Sequence, residues 1–270
     1  MTSRAFEDNV VIITGASLGL GAELARQLAD QGAWLALAAR SADRLEAVAD
    51  ECRERGGRAI VAPTDVTDQA QCRALIERTV AEYGRIDTLI NNAGMGMWAR
   101  FEELQHLDVM QQLMWVNYLG SVYCTSYALP YLRQTRGRLA AISSLAGKTG
   151  VPAHSGYVAS KHALTGFFDT LRIELQGSGV SVTVIFPGFV ATGIHERNIG
   201  PDGRLLGQSH TVDYRRAMPT ETCARIVIRA TARRRRQVVM TLRGKVGQWL
   251  RLIAPGLVDT MARRAVERGR

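Results

Sequence analysis

Tyr157 and Lys161 stand four residues apart in the stretch Ser155 to Lys161, SGYVASK. Only three of the 34 basic residues are lysines, Lys148, Lys161 and Lys245, so an ammonium is kept here in a chain that otherwise writes its positive charge as Arg. On a helix, residues four apart share a face and project side by side. A phenol titrates at about 10, and a nearby ammonium favours the phenolate and lowers that value. The compact ammonium can do this while its other N–H donors hold a second group, whereas the planar Arg fork places its charge and donors differently. This pair suits proton transfer to the alkoxide that develops when a carbonyl is reduced. Ser144 lies thirteen residues upstream of Tyr157, at the end of an apolar run. It can donate a hydrogen bond to the same oxygen as charge builds there. Ser143 is the competing hydroxyl.

These groups need elements to hold them. The apolar runs at 9–15, 33–40, 58–65, 86–94, 137–144 and 180–188 read as buried strands, and QVVM at 237–240 is the expected last one. The intervening segments carry helical periodicity. They run from Ser41 to about Arg55, from Thr67 or Asp68 to about Tyr83, from about Val109 to Arg133, and from Tyr157 to Leu175. Near-continuous apolar strands alternating with helices predict an α/β fold with a parallel sheet covered on both faces. Residues 1–242 are expected to form one dinucleotide-binding and catalytic domain, with 193–218 as a mobile substrate loop and 243–270 as a basic amphipathic helical extension.

TGASLGLG at Thr14–Gly21 separates the first strand from the first helix. Glycines at 15, 19 and 21 permit a tight turn and close backbone approach, and a diphosphate can sit where the N–H groups of a helix N-terminus point outward. A plain turn is the bland alternative, and the position after the first strand favours a dinucleotide. At the end of the second strand, where an acid would meet a ribose diol, the chain has Ala39 followed by Arg40 and Ser41. That pair suits a 2′-phosphate, hence NADP(H).

Bulk properties set outer limits. The chain has 270 residues, 46% hydrophobic and 22% charged, enough for one sizeable core. No apolar run reaches the roughly 18 residues of a membrane span, and the first ten residues lack the apolar core of a secretory signal. Cys52, Cys72, Cys124 and Cys223 are widely spaced, as expected of reduced thiols in a cytoplasmic protein. The histidines show no metal-ligand spacing, so no metal is expected. The net charge of +9 is concentrated at the end: from Arg225 to Arg270 there are 13 basic and 2 acidic residues. Val246, Leu250, Ile253, Leu257 and Met261 recur there at helical spacing beside Trp249, with Pro255 and Gly256 expected to split the segment into two helices. The stripe can pack on the domain or on a partner subunit, or lie on an anionic membrane. Nucleic acid is not expected, because a basic helix without a reading motif is weak grounds for it.

Taken in order, TGASLGLG, TDV at Thr64–Val66, NNAG at Asn91–Gly94, Asn117 in WVNYLGS, ISSLAG at Ile142–Gly147, Tyr157 with Lys161, and PGFVAT at Pro187–Thr192 resemble the short-chain dehydrogenase/reductase family over about residues 9–190. The run SSLAGK, with GFF at Gly166–Phe168, is similar to the branch containing 11β-hydroxysteroid dehydrogenases. The resemblance implies a seven-stranded Rossmann-type parallel sheet and a homodimer or homotetramer. It implies a catalytic tetrad of Asn117, Ser144, Tyr157 and Lys161, with Asn117 holding a water between Lys161 and solvent. It further implies that Gly15, Ser17, Gly19, Leu20 and Gly21 line the diphosphate, that Asp65 and Val66 face the adenine, and that Asn91, Ala93 and Gly94 flank the riboses. Pro187, Gly188, Val190 and Thr192 would edge the nicotinamide, with Tyr157 and Lys161 also touching the cofactor. Met95, Met97, Trp98 and His154 are the expected substrate contacts, and a bulky apolar carbonyl or alcohol the expected substrate. A non-catalytic dinucleotide sensor acting through the basic tail is the alternative, and a sugar-nucleotide epimerase or dehydratase a lesser one.

Overall fold

The computed structural model describes residues 5–193, 198–207 and 217–267. The mobile loop expected at 193–218 therefore lies partly outside the described residues. Seven parallel strands form one sheet: β1 (Val10–Thr14), β2 (Trp34–Ala39), β3 (Arg58–Pro63), β4 (Thr88–Asn91), β5 (Arg138–Ile142), β6 (Ser181–Phe186) and β7 (Gln237–Val239). Their order is β3-β2-β1-β4-β5-β6-β7. The chain runs outward from β1 to β3, then crosses back beside β1 to begin the second half. In open sheets of this order ligands bind at the carboxyl ends of the strands where the order reverses, here β1 and β4.

All five β1 residues are buried, as a strand covered on both faces requires. On one face of the sheet, α1 (Gly19–Ala29) packs on α7 (Thr220–Ala232) and on α2 (Ala42–Glu54). The other face carries α3 (Gln69–Tyr83), α5 (Gly120–Thr135) and α6 (Ser155–Glu174). Local chemistry sets the boundaries. Asp68 caps α3 by accepting from the N–H groups of Ala70 and Gln71, and Gly84 ends it in the left-handed region at φ +75°. Phe168 of α6 is fully buried in the core and Phe167 packs partly against it.

The single helix expected over 109–133 is divided. α4 (Asp108–Met114) leads into a π-turn over Trp115–Leu119, and α5 follows. The extra residue in such a turn leaves the apolar spacing on either side intact, so periodicity alone does not reveal it. After β7 the chain forms α8 (Leu242–Ile253) and α9 (Pro255–Glu267). Proline is tolerated at the first position of α9, where no intrahelical N–H is needed.

Candidate active site

The expected tetrad converges at the carboxyl end of the central strands. Asn117 sits within the π-turn and is fully buried. Its Oδ1 accepts from Met95 N–H at 2.8 Å, and its Nδ2 donates to the Met95 carbonyl at 2.9 Å and to Ser160 Oγ at 2.9 Å. Both amide donors are thus committed. The side chain clasps the NNAG segment against α6, and a water held at this point would have to rely on main-chain groups. A methyl group placed on Gly94 would come 3.1 Å from Asn117 Oδ1 and 3.5 Å from Lys161 Nζ, so glycine keeps the NNAG backbone close to both.

Ser144 and Ser143 are separated by their partners. The Ser143 hydroxyl is buried and lies 3.0 Å from Thr165 Oγ1, inside the packing of α6. The Ser144 oxygen accepts from Ala146 N–H at 3.2 Å, which anchors it at the first turn after β5. Ser144 also acts on Tyr157, favouring its phenolate. Ser144 is therefore the serine in the constellation.

Lys161 is 4% exposed and donates from Nζ to the Ile142 carbonyl at 2.9 Å. Its Nζ lies 5.8 Å from the centre of the Tyr157 ring. Burial pushes the Lys161 ammonium down to about 8. The spacing of Tyr157 and Lys161 predicts a lowered tyrosine pKa, and the structure shows the opposite direction. Burial raises Tyr157 above its ordinary value, while the hydrogen bond with Ser144 acts in the opposite direction. Desolvation penalises the phenolate, and an ammonium beyond hydrogen-bond range that spends a donor on a carbonyl does not reverse this.

The glycine turn has the shape a diphosphate requires. Gly19 adopts φ +55°, and a Cβ there would lie 2.8 Å from the Thr192 carbonyl oxygen. A Cβ on Gly21 would meet the Gly15 carbonyl oxygen at 2.1 Å. No side chain larger than hydrogen fits either place, and the N-cap of α1 is Leu18, which has no polar group to occupy the free N–H groups. Ser17 is half-buried and Leu20 buried in this turn. The residues present fit a dinucleotide. The loop also brings Thr192 over the turn, and the Pro187 carbonyl accepts from Leu145 N–H at 3.0 Å beside Ser144. Gly188 abuts Thr241, and Val190 bridges to Met218.

Two residues not expected from sequence hold this turn. Asn92 donates from Nδ2 to the carbonyls of Thr14 at 2.9 Å and Gly15 at 3.2 Å. Thr14 Oγ1 accepts from the N–H groups of Asn92 and Ala93, both at 3.0 Å. Neighbouring Asn91 is instead buried in β4, with its Nδ2 on Thr125 Oγ1 at 3.0 Å and its Oδ1 unpartnered. Adjacent strand residues face opposite sides of the sheet, and that alternation was the available signal for Asn92.

The adenine side is less closed. Asp65 Oδ1 accepts from Thr67 N–H and Oγ1, while Val66 is buried against Gly120. Arg40 is exposed at the end of β2. Ser41 is the N-cap of α2, yet its hydroxyl makes no capping bond. Of the expected substrate contacts, Met97 is fully buried in a small apolar cluster with Val109, Leu113 and Ile199, against which Met95 and Tyr157 pack. It therefore supports the wall from behind. His154 lies between Trp98 and Tyr157, with ring centres 4.9 and 6.3 Å away. Its Nδ1 meets the Pro152 carbonyl at 2.9 Å, and burial lowers its pKa. A neutral ring bonded in this way donates from Nδ1 and keeps Nε2 as an acceptor.

This arrangement can bind a dinucleotide and exchange a proton at one buried oxygen. A family profile described as short chain dehydrogenase matches residues 9–200. The 11-beta-hydroxysteroid dehydrogenase-like 4A of Arabidopsis thaliana is 37% identical over 266 residues, covering 97% of this chain and 86% of the relative. A dehydrogenase/reductase SDR family protein 7-like of Dictyostelium discoideum is 34% identical, covering 96% and 82%. Among solved structures, a short chain dehydrogenase/reductase of Burkholderia phymatum in complex with NAD superposes with a TM-score of 0.83 at 26% identity, covering 94% and 96%. An alcohol dehydrogenase of the archaeon Thermococcus sibiricus, complexed with 5-hydroxy-NADP, gives 0.70 at 30% identity, covering 81% and 88%.

Proposed function

Since the chain belongs to the short-chain dehydrogenase/reductase family, whose chemistry is NAD(P)(H)-dependent interconversion of carbonyl and alcohol, we propose that this member uses NADP(H) on a bulky apolar substrate, with Asn117, Ser144, Tyr157 and Lys161 as its working groups. The observation that carries the reading is the buried Lys161, whose Nζ lies 5.8 Å from the centre of the Tyr157 ring, beside a turn at Gly19 and Gly21 that only glycine fits.

The bound nicotinamide supplies or accepts the hydride. The protein manages the oxygen and its proton. Ser144 is anchored through its acceptor to Ala146 and acts on Tyr157, so its O–H can turn to a substrate oxygen that enters beside the phenol. In reduction, the Tyr157 O–H gives its proton to the alkoxide oxygen as the O–H bond forms there. The resulting phenolate is favoured by Lys161, whose charge costs less to use once a polar cofactor has entered the site. Solvent then reprotonates Tyr157. In oxidation the phenolate takes the alcohol proton, so that direction speeds up as pH rises, while reduction needs the phenol and slows. Asn117 acts through Met95 and Ser160 as a positioning residue.

Arg40, the uncommitted Ser41 hydroxyl and the absence of an acid at Ala39 support NADP(H) over NAD(H). The apolar cluster behind Tyr157 and the hydroxysteroid names of the Arabidopsis relatives support the substrate class. The test is steady-state turnover of the purified chain with NADPH and with NADH, against steroids, long-chain aldehydes and small hydrophilic carbonyls. NADPH-dependent turnover of the bulky apolar compounds is expected. A preference for NADH defeats the cofactor assignment, and turnover confined to sugars or similar small carbonyls defeats the substrate assignment.

A further inference from the structure

The C-terminal helices turn the wrong way for an ordinary surface helix. At about 100° per residue, Leu242, Val246, Trp249 and Ile253 fall within roughly 60° of arc on α8, and Arg251 lies on the opposite side. An ordinary surface helix would place the apolar arc on the domain and the arginine in water. Here Arg251, though still exposed, lies on the side turned to the domain and donates to the Lys148 carbonyl. Gly244 also faces the domain, where an added Cβ would meet Leu145 at 2.5 Å. The apolar arc faces out, with Leu242 77%, Trp249 65% and Ile253 82% exposed. Leu257 and Met261 on α9 are also more than half exposed. Of the alternatives open for this stripe, packing on its own domain is not what the described residues show.

The charge around the arc narrows what covers it. Within α8 and α9 there are five basic residues, Arg243, Lys245, Arg251, Arg263 and Arg264, against two acidic ones, Asp259 and Glu267, and Lys245, Arg263 and Arg264 are exposed. A two-fold contact through this face would bring two such surpluses together and repel. The occupant must be apolar within and anionic at its edge. We propose that α8 and α9 form a docking surface for an anionic lipid bilayer, lying in the interface with the apolar arc among the acyl chains and the basic side chains at the headgroups. Among the described residues, no helix is long and apolar enough to cross a membrane, so the contact is peripheral. The attachment is beside the crevice. Thr241, the N-cap of α8, touches Gly188, and Leu145, which follows Ser144, touches Gly244. Phe189, next to Gly188, is 61% exposed and adds to the same side. Docking therefore sets the mouth of the active site against the headgroup layer. This goes beyond the proposed reaction and does not depend on which carbonyl compound is turned over.

The test is co-sedimentation of the full chain with phosphatidylglycerol-containing vesicles and with pure phosphatidylcholine vesicles, alongside its oligomeric state by light scattering. Binding to the anionic vesicles at low salt is expected, with strong weakening at about 0.5 M salt. The pair Trp249→Ser and Ile253→Ser should lower the partition coefficient roughly tenfold or more. The set Lys245→Gln, Arg263→Gln and Arg264→Gln should lower it by a similar factor. Trp249 and Ile253 lie on the outward arc, so the melting temperature of that pair of substitutions should hold. Four results overturn the proposal. They are no binding to anionic vesicles at low salt, equal binding to phosphatidylcholine that ignores the charge substitutions, a dimer lost in the Trp249/Ile253 variant without vesicle binding, and binding to duplex DNA or RNA in place of vesicles.

Discussion

The catalytic crevice and the C-terminal helices break the same rule in opposite directions. In the crevice, polar groups are buried: Asn117 and Lys161 are at most 4% exposed. In the extension, large apolar groups are out in solvent, with Ile253 82% exposed. Both are departures from ordinary burial, and departures of this kind carry the information about function. The difference lies in what compensates. Asn117 has three hydrogen bonds, so its burial costs little. Lys161 has one acceptor at 2.9 Å and a charge that burial opposes. Among the described residues, the outward arc of α8 is left largely uncovered. On the proposals made above, each poorly compensated group awaits a partner, a cofactor in the first case and a lipid surface in the second.

This contrast can be broken or sharpened by substitution. The largest effect is expected from Ser144→Ala. It removes the hydroxyl aimed at the reacting oxygen and should lower kcat by about 10²–10³, measured at saturating cofactor and substrate. Ser143→Ala should leave kcat nearly unchanged, since its hydroxyl is turned to Thr165.

Lys161→Met should separate function from stability. Activity should fall by at least about 10². The cofactor-free protein should nevertheless gain stability. The distance from 10.5 to about 8 corresponds to about 3 kcal/mol against the buried charge, and losing the bond to Ile142 returns about 1 kcal/mol of that. The folded-state value lies below the unfolded one. The unfolded chain therefore binds more protons between pH 8 and 10.5, and wild-type stability rises across that window. The variant's advantage should be full below about pH 8 and fade as pH climbs to 10.5. Denaturant titration at several pH values checks this, and a variant less stable than wild type at pH 7 would mean the lysine is already compensated.

Arg40→Ala should raise the KM for NADPH about tenfold and leave that for NADH almost unchanged, the loss of one charge-assisted contact to a phosphate. The smallest effect is expected from Trp249→Ser, which should change folding stability by less than about 0.5 kcal/mol, because the side chain is 65% exposed. A large loss would show that the arc is covered in solution.

The sheet was legible because each strand is a nearly continuous apolar run ending at a turn, and all seven lie within the expected spans. The candidate catalytic residues were legible because Tyr157 and Lys161 share one helix and Ser144 closely follows one strand. What escaped was long-range or geometrical. Asn117 meets Ser160 across 43 residues, and no local spacing announces that contact. The π-turn that presents Asn117 leaves the apolar pattern on either side undisturbed. Met97 looked like a pocket wall because it follows NNAG, yet its side chain fills the cluster beneath. The direction of the Tyr157 shift escaped because it depends on how much water the fold removes, which a list of neighbours does not contain.

The central claim is that Tyr157 transfers the proton at the carbonyl oxygen within a site that binds the dinucleotide independently of that phenol. Tyr157→Phe tests it most directly, with NADPH binding followed by fluorescence and ketone reduction measured in the same preparation. Binding within about twofold of wild type together with turnover reduced at least about 10²-fold is the predicted result. Near-normal turnover in that variant would contradict the account.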